Sequence, residues 1–553
     1  MAKRTRAKSR RIAKPKSEVQ RRKFHWHFAA LLAVIVFFSA IRWRLADLPL
    51  ERDEGEYAYA GQLLLQGIPP YQLAYNMKLP GTYVAYAVIL TVFGQTAKGI
   101  HLGLLVVNAL CVILLYLIVA RLFGSLAGLV AGASYVFLTT NLGLQGFAAH
   151  ATHFVVLAAL AGIMLLLHAE TTKNALSFFG CGLAFGAAFL MKQPGLLFGM
   201  FAFVYLAIRC APENWKDRGQ WPAWAKRMAA FLLPLSLPFA LACALLYRAG
   251  VFHNFWFWTF SYARQYATTV SLRDGWTLFL ASCRHIFGFT TPWPWLLALL
   301  GCGALCWDKG FRRQRLFTIG LLLFSCAAVC PGLYFRPHYF VLLAPAVAIL
   351  IALAVVSASN ALASKPLWLR AVPLAVFAVI LAVAIRRNAD VFFEFSPLEV
   401  CRLAYRGNPF AEAVPVADYL RQHTAPTETI MVLGSEPEIY FLAHRHSASG
   451  YIYTYGLTEN QPYWPAMLKQ MSEEVESRRP AYLVVVNMRL SWLMDPQSPQ
   501  GRALGKWIEQ YVAGFDRVGV VEVDEGESHY YWGADALNHR APGREILILK
   551  RKG

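Results

Sequence analysis

Four carboxylate side chains fall within six residues of the segment "LERDEGEYAYAGQLLLQGIPPY", residues 50–71. They belong to Glu51, Asp53, Glu54 and Glu56, and an apolar stretch precedes them. Ionised carboxylates are costly inside lipid, so the segment is predicted to lie where a membrane helix meets water. Such a cluster fits a solvent-exposed loop as well as a reactive site. The cationic residues elsewhere in the chain help to distinguish these two interpretations.

Cationic side chains recur at positions that are predicted to lie at the same membrane face. They are Lys78 in the same loop, Lys192 beside Gln193 in "FLMKQPG", and Arg336 with His338 in "YFRPHYF". Each cation alone is typical of a helix rim. Together, these side chains could bind an anionic, lipid-linked substrate. A carboxylate could then take the proton of an incoming hydroxyl while the cations hold a phosphate leaving group.

The composition predicts the scaffold that positions these groups. The chain has 553 residues, of which 57% are hydrophobic and only 15% charged, and long apolar runs indicate many membrane helices. Much of the net charge of +21 lies in the N-terminal segment "MAKRTRAKSRRIAKPKSEVQRRK" and in short loops. That distribution is typical of the positive-inside rule, so nucleic acid is not predicted as a partner.

About eleven transmembrane helices are predicted after a basic cytoplasmic tail, residues 1–25. The apolar segment "LPGTYVAYAVILTVFG" is short for a span, so we predict interfacial helices in the first outer loop. Arg42, Arg44, Arg386 and Arg387 depart from the charge rule. The predicted spans lie near 26–43, 99–121, 124–142, 151–168, 175–191, 194–209, 227–248, 283–306, 315–331, 338–357 and 368–385.

The odd number of spans places the C-terminus outside the cytoplasmic membrane. The transmembrane domain is predicted over residues 26–387, and an extracytoplasmic, soluble α/β domain over 388–553. In that domain the short runs "ETIMVLG", "AYLVVVNM", "VGVVEV" and "EILILKR" have strand character and alternate with helical stretches. The sequence shows no Walker loop and no G-x-G-x-x-G motif, so nucleotide binding is not predicted.

Four segments in order carry a resemblance to a known family. They are "RDEGEYAYAGQLLLQGIPPY", "KLPGTYVAYAVILTVFG", "GAAFLMKQPGLLF" and "FRPHYFVLLAPAVAIL". The chain resembles the polytopic glycosyltransferases of the GT-C superfamily, and more closely the family 39 group, with protein O-mannosyltransferases and aminoarabinose transferases. The resemblance implies an inverting transfer of a sugar from a polyprenyl-phosphate donor at the outer face of the cytoplasmic membrane.

The resemblance also implies roles for single residues. Asp53 would be the general base with Glu54 beside it, and Lys78 and Lys192 would contact the donor phosphate. Gln193, Arg336, His338 and Tyr57 are the further substrate-binding candidates in these four segments.

The chain departs from the family pattern in "GLQGFAAHATHFVVL", where relatives often carry a second acidic residue. Thr152 takes that place, with His150 and His153 nearby. A histidine here could orient the acceptor or bind a divalent metal, or it could simply be a polar residue at a helix end. The two histidines are substrate-binding candidates, and the sequence leaves open whether a metal cofactor is needed.

Two other segments carry polar or aromatic groups. "GVFHNFWFWTFSYARQY" contains His253, Arg264 and Tyr266 and fits either an aromatic membrane belt or a cover over the substrate. "LGSEPEIYFLAHRHSASGYIY" contains two glutamates and two histidines, for which turn and surface roles are favoured over a metal site.

The predicted partners are a polyprenyl-phosphate sugar, membrane lipid, and a lipid, protein or glycan acceptor. The alternatives are a transporter of polyprenyl-linked glycans, which would need no base, and a non-catalytic membrane scaffold.

Overall fold

The computed structural model describes residues 16–212, 218–524, 526–539 and 543–553. Most of the predicted basic tail, residues 1–15, lies outside the described residues, and the first helix begins at Lys16. The helices up to residue 387 are α1 Lys16–Arg44, α2 Arg52–Leu65, α3 Gly81–Phe93, α4 Ala97–Phe123, α5 Ser125–Thr139, α6 Ala151–Thr172, α7 Ala175–Met191, α8 Gly195–Arg209, α9 Trp221–Arg248, α10 Phe252–Trp256, α11 Ala263–Ala267, α12 Leu272–Thr290, α13 Trp293–Trp307, α14 Arg315–Val329, α15 Ala344–Ala361 and α16 Leu367–Arg387.

Six helices of the described chain are long and apolar enough to cross a membrane: Trp26–Arg44, Ala97–Phe123, Ala151–Thr172, Arg218–Arg248, Ala344–Ala361 and Leu367–Arg387. A seventh span results if the bent pair α12 and α13 crosses as one unit. On α9, Leu233, Leu237, Leu241 and Leu245 leave an apolar stripe exposed, which suits contact with lipid. The chain is therefore a multi-pass membrane protein, and the count of eleven spans stays a prediction.

The structure differs from the predicted helix 283–306 near its middle. Instead of one helix, α12 and α13 meet at an angle of 108°. Thr291 has a φ of 64°, and Pro292 follows it. Proline has no backbone N–H and cannot continue the hydrogen-bond ladder of α12, so the chain turns at this point.

The C-terminal region is built around a six-stranded sheet with the order β2-β1-β3-β6-β4-β5. Strand β1 pairs in parallel with β2 and β3, whereas the pairs β3–β6, β6–β4 and β4–β5 are antiparallel. The strands are β1 Thr429–Leu433, β2 His446–Ser447, β3 Tyr482–Asn487, β4 Phe515–Glu522, β5 His529–Trp532 and β6 Glu545–Arg551. The helices are α17 Pro397–Ala404, α18 Phe410–His423, α19 Glu438–Ala443, α20 Tyr455–Thr458, α21 Trp464–Arg478, α22 Arg489–Trp492, α23 Pro499–Val512 and α24 Ala534–Asn538. The predicted combination of a helical membrane fold and a C-terminal α/β region is confirmed.

The loop between α1 and α4 contains two helices, α2 and α3. Helix α2 begins with a capping box, because the Glu51 side chain accepts from the Glu54 N–H and Glu54 accepts in return from the Glu51 N–H. Gly81 at the start of α3 lets that helix touch the end of α7. A Cβ at Gly81 would lie 2.6 Å from the carbonyl oxygen of Leu190. These contacts hold the carboxylate segment against the membrane helices.

We expect the C-terminal region, residues 388–553, to lie outside the cytoplasmic membrane. The basic N-terminal flank is predicted to be cytoplasmic. With an odd number of spans, the C-terminus then lies on the opposite side of the membrane. A reporter that is active only in the cytoplasm, fused after Gly553, should stay silent. An active reporter would mean that the number of spans is even. Helix α3, which is predicted to be interfacial, would then be the first candidate for an additional span.

Candidate functional site

A cavity of about 390 Å³ lies between the membrane helices and the C-terminal region. Asp53 lines it together with Lys78, Lys192, Arg336 and His338, so the sequence-predicted base and cations share one space. Glu51, Gln145 and Gln193 also line it. Most of these groups lie far apart in the chain. The loop between α1 and α4 carries Asp53 and Lys78, and the fold places both beside the cations of the other segments.

Asp53 occupies the second position of α2 and faces the cavity. Its Oδ1 accepts a hydrogen bond of 3.1 Å from the Lys78 ammonium, and its Oδ2 lies 3.9 Å from His150 Nδ1 and 3.8 Å from His338 Nε2. Burial opposes ionisation of Asp53, but the Lys78 ammonium holds the pKa of this carboxyl well below its usual range. Asp53 is therefore a carboxylate at neutral pH.

Glu54 and Glu51 are placed differently from Asp53. Glu54 is fully buried, where its Oε1 accepts from the Ala149 N–H at 2.6 Å and lies 3.1 Å from His101 Nε2. These contacts tie α2 to the membrane helices, so we propose that Glu54 positions α2 instead of the predicted catalytic role. Burial, with the neighbouring Asp53 carboxylate, raises the pKa of Glu51 well above its usual value.

Tyr57 and Gln193 support the cations. The Lys78 ammonium donates to the Tyr57 hydroxyl oxygen at 3.2 Å as well as to Asp53, and Tyr57 is itself buried. The Gln193 side-chain amide donates to the Met77 carbonyl at 2.8 Å and so joins the end of α7 to the first loop. Tyr57 thus contacts Lys78 directly, Gln193 contacts the residue before it, and Gln193 also lines the cavity.

Lys192 and Arg336 bring further positive charge to the cavity. Lys192 follows the last residue of α7, and its ammonium lies 4.2 Å from the centre of the Tyr339 ring. Burial, with the nearby Lys78 charge, lowers the pKa of Lys192 to about 7. Arg336 is exposed at the cavity wall. An anionic ligand would relieve this concentration of positive charge.

His150 and His338 stack on each other with ring centroids 4.0 Å apart. The Nδ1 of His338 lies 3.2 Å from the Gln145 side-chain oxygen, whereas neither ring nitrogen of His150 has a hydrogen-bond partner in the described chain. Burial lowers the pKa of His150 to about 4 and that of His338 well below its usual range. Both imidazoles are therefore neutral at pH 7 and have free lone pairs.

Asp53, His150 and His338 could hold a divalent metal ion. One ligand atom from each lies within 4.8 Å of the other two, and a carboxylate with two neutral imidazoles is a donor set typical of zinc. The unpartnered nitrogens of His150 fit this use. The Lys78 and Lys192 ammonium groups oppose a dication, so an anionic ligand in the cavity would favour its binding.

His153 points into the protein, not into the cavity. It lies in the first turn of α6, is fully buried, and has no hydrogen-bond partner for either ring nitrogen among the described residues. Thr152, at the place of the family's second acid, is also buried. The structure therefore places His150, and not His153, beside Asp53, and substrate binding by His153 has no support from its position.

The C-terminal region forms the opposite wall of the cavity, which the sequence did not predict. The Tyr453 hydroxyl donates to the Arg52 carbonyl at 2.9 Å and lies 3.4 Å from Asp53 Oδ1. The cavity-lining residues of this region are Tyr405, Asn408, Phe410, Tyr453, Tyr455, Gly456 and Glu459. The tyrosine-rich run "YIYTY" was the available signal, but nothing in it indicates contact with a residue 400 positions earlier.

The aromatic segment 250–266 covers one side of the cavity. Trp258, Tyr262 and Tyr266 line it, and a π-helical turn, Phe257–Tyr262, interrupts the helix there. The Tyr262 hydroxyl donates to Glu459 at 2.5 Å. Of the three residues singled out in the sequence, Tyr266 lines the cavity, whereas His253 and Arg264 lie elsewhere on the segment.

Polar residues of "LGSEPEIYFLAHRHSASGYIY" contact helix α2 and the residue that follows it. Glu436 pairs with Arg52 at 3.2 Å, His444 Nδ1 lies 2.8 Å from the Gln62 amide, and His446 Nε2 lies 2.6 Å from the Gln66 oxygen. Glu436 and Glu438 are fully buried. The favoured surface role is therefore wrong for the two glutamates.

Comparison with known proteins supports the resemblance seen in the sequence. A family model described as dolichyl-phosphate-mannose-protein mannosyltransferase matches residues 78–238, a segment that begins at Lys78 and includes His150 and Lys192. No curated protein sequence matches the chain significantly.

Solved structures share the fold across almost the whole chain. ArnT from Cupriavidus metallidurans bound to undecaprenyl phosphate has a TM-score of 0.56 at 15% identity, and covers 94% of this chain and 97% of its own. The Archaeoglobus fulgidus oligosaccharyltransferase in the apo form has a TM-score of 0.51 at 13% identity, covering 95% of this chain and 76% of its own. The matched segment and the shared fold confirm the predicted resemblance: this chain is similar to GT-C membrane glycosyltransferases, with the protein mannosyltransferase family matching residues 78–238 and ArnT sharing the fold.

Proposed function

We propose that this protein is an inverting glycosyltransferase that moves a sugar from a polyprenyl-phosphate donor to an acceptor hydroxyl at the outer face of the cytoplasmic membrane. The observation that carries the proposal is the cavity in which the Asp53 carboxylate faces Lys78, Lys192 and Arg336. One anionic group can act as a base while the cations bind a phosphate. The likeness to ArnT, solved with undecaprenyl phosphate, supports a polyprenyl-phosphate donor.

The cavity suits a sugar phosphate in size and lining. Its volume of about 390 Å³ lies within the range of small-molecule sites, about 300–1,000 Å³. Lys192 directly follows helix α7 and Lys78 lies in the first loop beside it, where the phosphate of a lipid-anchored donor would arrive. Tyr262, Tyr266 and Tyr453 offer flat rings with hydroxyl groups, which suit the faces and hydroxyls of a sugar.

The reaction needs one proton acceptor and one stabilised leaving group. The acceptor hydroxyl gives its proton to Asp53, and its oxygen attacks the anomeric carbon from the face opposite the phosphate. The bond between the anomeric carbon and the phosphate oxygen breaks, and the electron pair leaves with the polyprenyl phosphate. Lys78, Lys192 and Arg336 bind the charge that develops on that phosphate. The stored energy of the sugar–phosphate bond makes a nucleotide unnecessary.

The donor itself would adjust the basicity of Asp53. The Lys78 ammonium keeps the pKa of Asp53 low, which makes the carboxylate a weak base. A bound phosphate shares the Lys78 charge, so the pKa of Asp53 rises toward its usual value. The base therefore becomes stronger only when the donor is present, which favours transfer to the acceptor.

We infer that the acceptor approaches from the C-terminal region. The donor phosphate would occupy the cationic wall, which leaves the wall with Asn408, Tyr453 and Tyr455 for the sugar and the attacking hydroxyl. The neutral His338 lines the cavity and could accept a hydrogen bond from either substrate, whereas His150 is buried behind Asp53 and does not line the cavity. A lipid, protein or glycan acceptor fits this arrangement.

The test is to incubate the purified protein with a panel of polyprenyl-phosphate sugars and candidate acceptors. We expect polyprenyl phosphate to be released and the acceptor to gain a sugar of inverted configuration. The assay is run with and without a chelator, because Asp53, His150 and His338 could hold a divalent ion. Intact donor that crosses a vesicle membrane uncleaved would support a transporter and overturn the proposal.

Lys192→Met should raise the donor KM at neutral pH. The lysine is charged below its pKa of about 7 and neutral above it, and a phosphate binds the charged form. In the unsubstituted protein the donor KM should therefore rise above pH 7, approaching about tenfold per pH unit if this contact dominates binding. Steady-state kinetics between pH 6 and about pH 9 measure both effects.

The Lys192→Met variant should lose that pH dependence while it keeps the fold. Lys173→Met is the matched control, because Lys173 also follows the end of a helix but is exposed away from the cavity. Identical donor KM values for Lys192→Met and the unsubstituted protein would remove Lys192 from the donor site.

A further inference from the structure

Helix α2 touches the C-terminal region along one face. The contact residues Arg52, Gly55, Tyr59, Gln62 and Gln66 are spaced three or four positions apart, so they form one stripe on the helix. Partners of the stripe include Glu436, Glu438, Ser447, His444 and His446. We call the stripe formed by Arg52, Gly55, Tyr59, Gln62 and Gln66 the docked face of α2.

Another face of α2 packs on helix α3 of the same loop and on the membrane helix α4. Glu54 contacts His101 of α4, Tyr57 lies against the rings of Tyr83 and Tyr86, and Gly61 approaches Ala87. Helix α2 is therefore held between these two helices and the C-terminal region. Asp53 lies between these two faces, at the end of α2 that borders the cavity.

Arg52 makes the strongest contacts of the docked face. Its guanidinium donates to the Ser435 carbonyl at 2.5 Å, to Asn408 at 3.1 Å and to Glu436 at 3.2 Å. It also lies over the Phe410 and Tyr455 rings, at 5.4 and 5.2 Å from their centres. A planar guanidinium suits this combination of stacking and several hydrogen bonds, and a lysine would keep only part of it.

The contact is too close for either side to shift independently. A Cβ at Gly55 would lie 2.5 Å from the backbone nitrogen of Glu438, so only glycine permits this approach of helix to backbone. Tyr453 adds a hydrogen bond from the C-terminal region to the carbonyl of Arg52, the residue directly before Asp53. The position of the Asp53 carboxylate thus depends on the C-terminal region.

We propose that the C-terminal region holds the Asp53 carboxylate in its reacting position through the docked face of α2, with Arg52 and Tyr453 as positioning residues. This inference rests on the proposed function, because it assigns these residues to the placement of the base. Reacting groups must be held closely, and a displacement of about 1 Å can cost roughly 10²-fold in rate. The C-terminal region is then a part of the active site and not an appended module.

The test replaces Arg52 without leaving a buried charge unpaired. The double variant Arg52→Met/Glu436→Gln removes both charges, because an unpaired Glu436 would destabilise the protein for a separate reason. We expect kcat to fall by roughly 10²-fold while the donor KM changes little, since the phosphate-binding lysines lie elsewhere. Arg52→Lys should recover part of the rate.

A double-mutant cycle separates positioning from a general structural effect. In an Asp53→Asn background, the Arg52→Met/Glu436→Gln change should cost little further activity, because the group that it positions is already lost. A structural role would lower the residual rate by the same factor in both backgrounds, and that result would overturn the proposal. Tyr453→Phe is the milder second variant, and it should lower kcat by about tenfold, as expected for one hydrogen bond of about 1.4 kcal/mol.

Hydrogen exchange of the α2 amides tests the contact without any activity. Protection over residues 52–65 should fall in the Arg52→Met/Glu436→Gln and Gly55→Ala variants, while the amides of α3 keep theirs. Gly505→Ala is the control, because a Cβ at Gly505 meets nothing within 4 Å. Unchanged protection of α2 would overturn the inference. No transfer by the unsubstituted protein would instead overturn the proposed function, so the two failures are distinguishable.

Discussion

Asp53→Asn should lower sugar transfer by roughly 10²–10⁴-fold, the usual contribution of general acid–base catalysis. Asparagine keeps the size of the side chain and can still accept a hydrogen bond from Lys78, but it cannot take a proton at neutral pH. Donor binding should survive, and it should tighten because a negative charge leaves a site that binds an anion. Transfer and donor binding are measured on the same folded variant.

Asp47→Asn is the matched control for this substitution. Asp47 lies in the same loop and pairs with Lys98 at 3.1 Å, but both side chains are exposed. An exposed pair contributes little, so this variant should transfer sugar normally. Near-normal transfer by Asp53→Asn would remove the base assignment and leave the neutral His338, which lines the cavity, as the next candidate. Loss of donor binding in Asp53→Asn would instead indicate that the carboxylate holds the site together.

Local sequence patterns predicted much of the membrane fold. Long apolar runs gave helices such as α4 and α6 within a few residues of their ends, because the hydrophobic length of a span is a local property. The break between α12 and α13 was missed, although Pro292 and Pro294 were the signal for it. A hydropathy argument counts apolar residues and does not register that a single proline turns the chain.

The candidate site was predictable in its reactive groups and not in its supporting groups. Asp53, Lys78 and Lys192 could be named because a charged side chain beside apolar sequence is conspicuous and because the family resemblance gave them roles. Arg52 and Tyr453 were not named, since their importance comes from a contact between segments 400 residues apart. The burial of Glu54 against Ala149 and His101 could not be predicted either, because it is a tertiary property.

Lys78→Met should have the second large effect, a loss of roughly 10²–10³-fold in kcat/KM. Its ammonium contacts both Asp53 and Tyr57, and it would be the phosphate ligand nearest to the base. Removal of one group that stabilises charge in a transition state typically costs that factor. We expect kcat to fall and the donor KM to rise, whereas Asp53→Asn should lower kcat without raising the donor KM.

The position of the acid limb in the pH–rate profile distinguishes two roles of Lys78: lowering the pKa of Asp53 and binding the donor phosphate. The Lys78 ammonium is the main group that lowers the pKa of Asp53. Its loss should raise that pKa, so the acid limb of the rate profile should move to higher pH. A lysine that only binds phosphate would lower the rate without moving this limb. Lys98→Met, which removes the exposed ion pair between helix α4 and Asp47, should change neither the acid limb nor the donor KM. If the acid limb stays in place and the donor KM is unchanged, Lys78 acts on neither the base nor the donor.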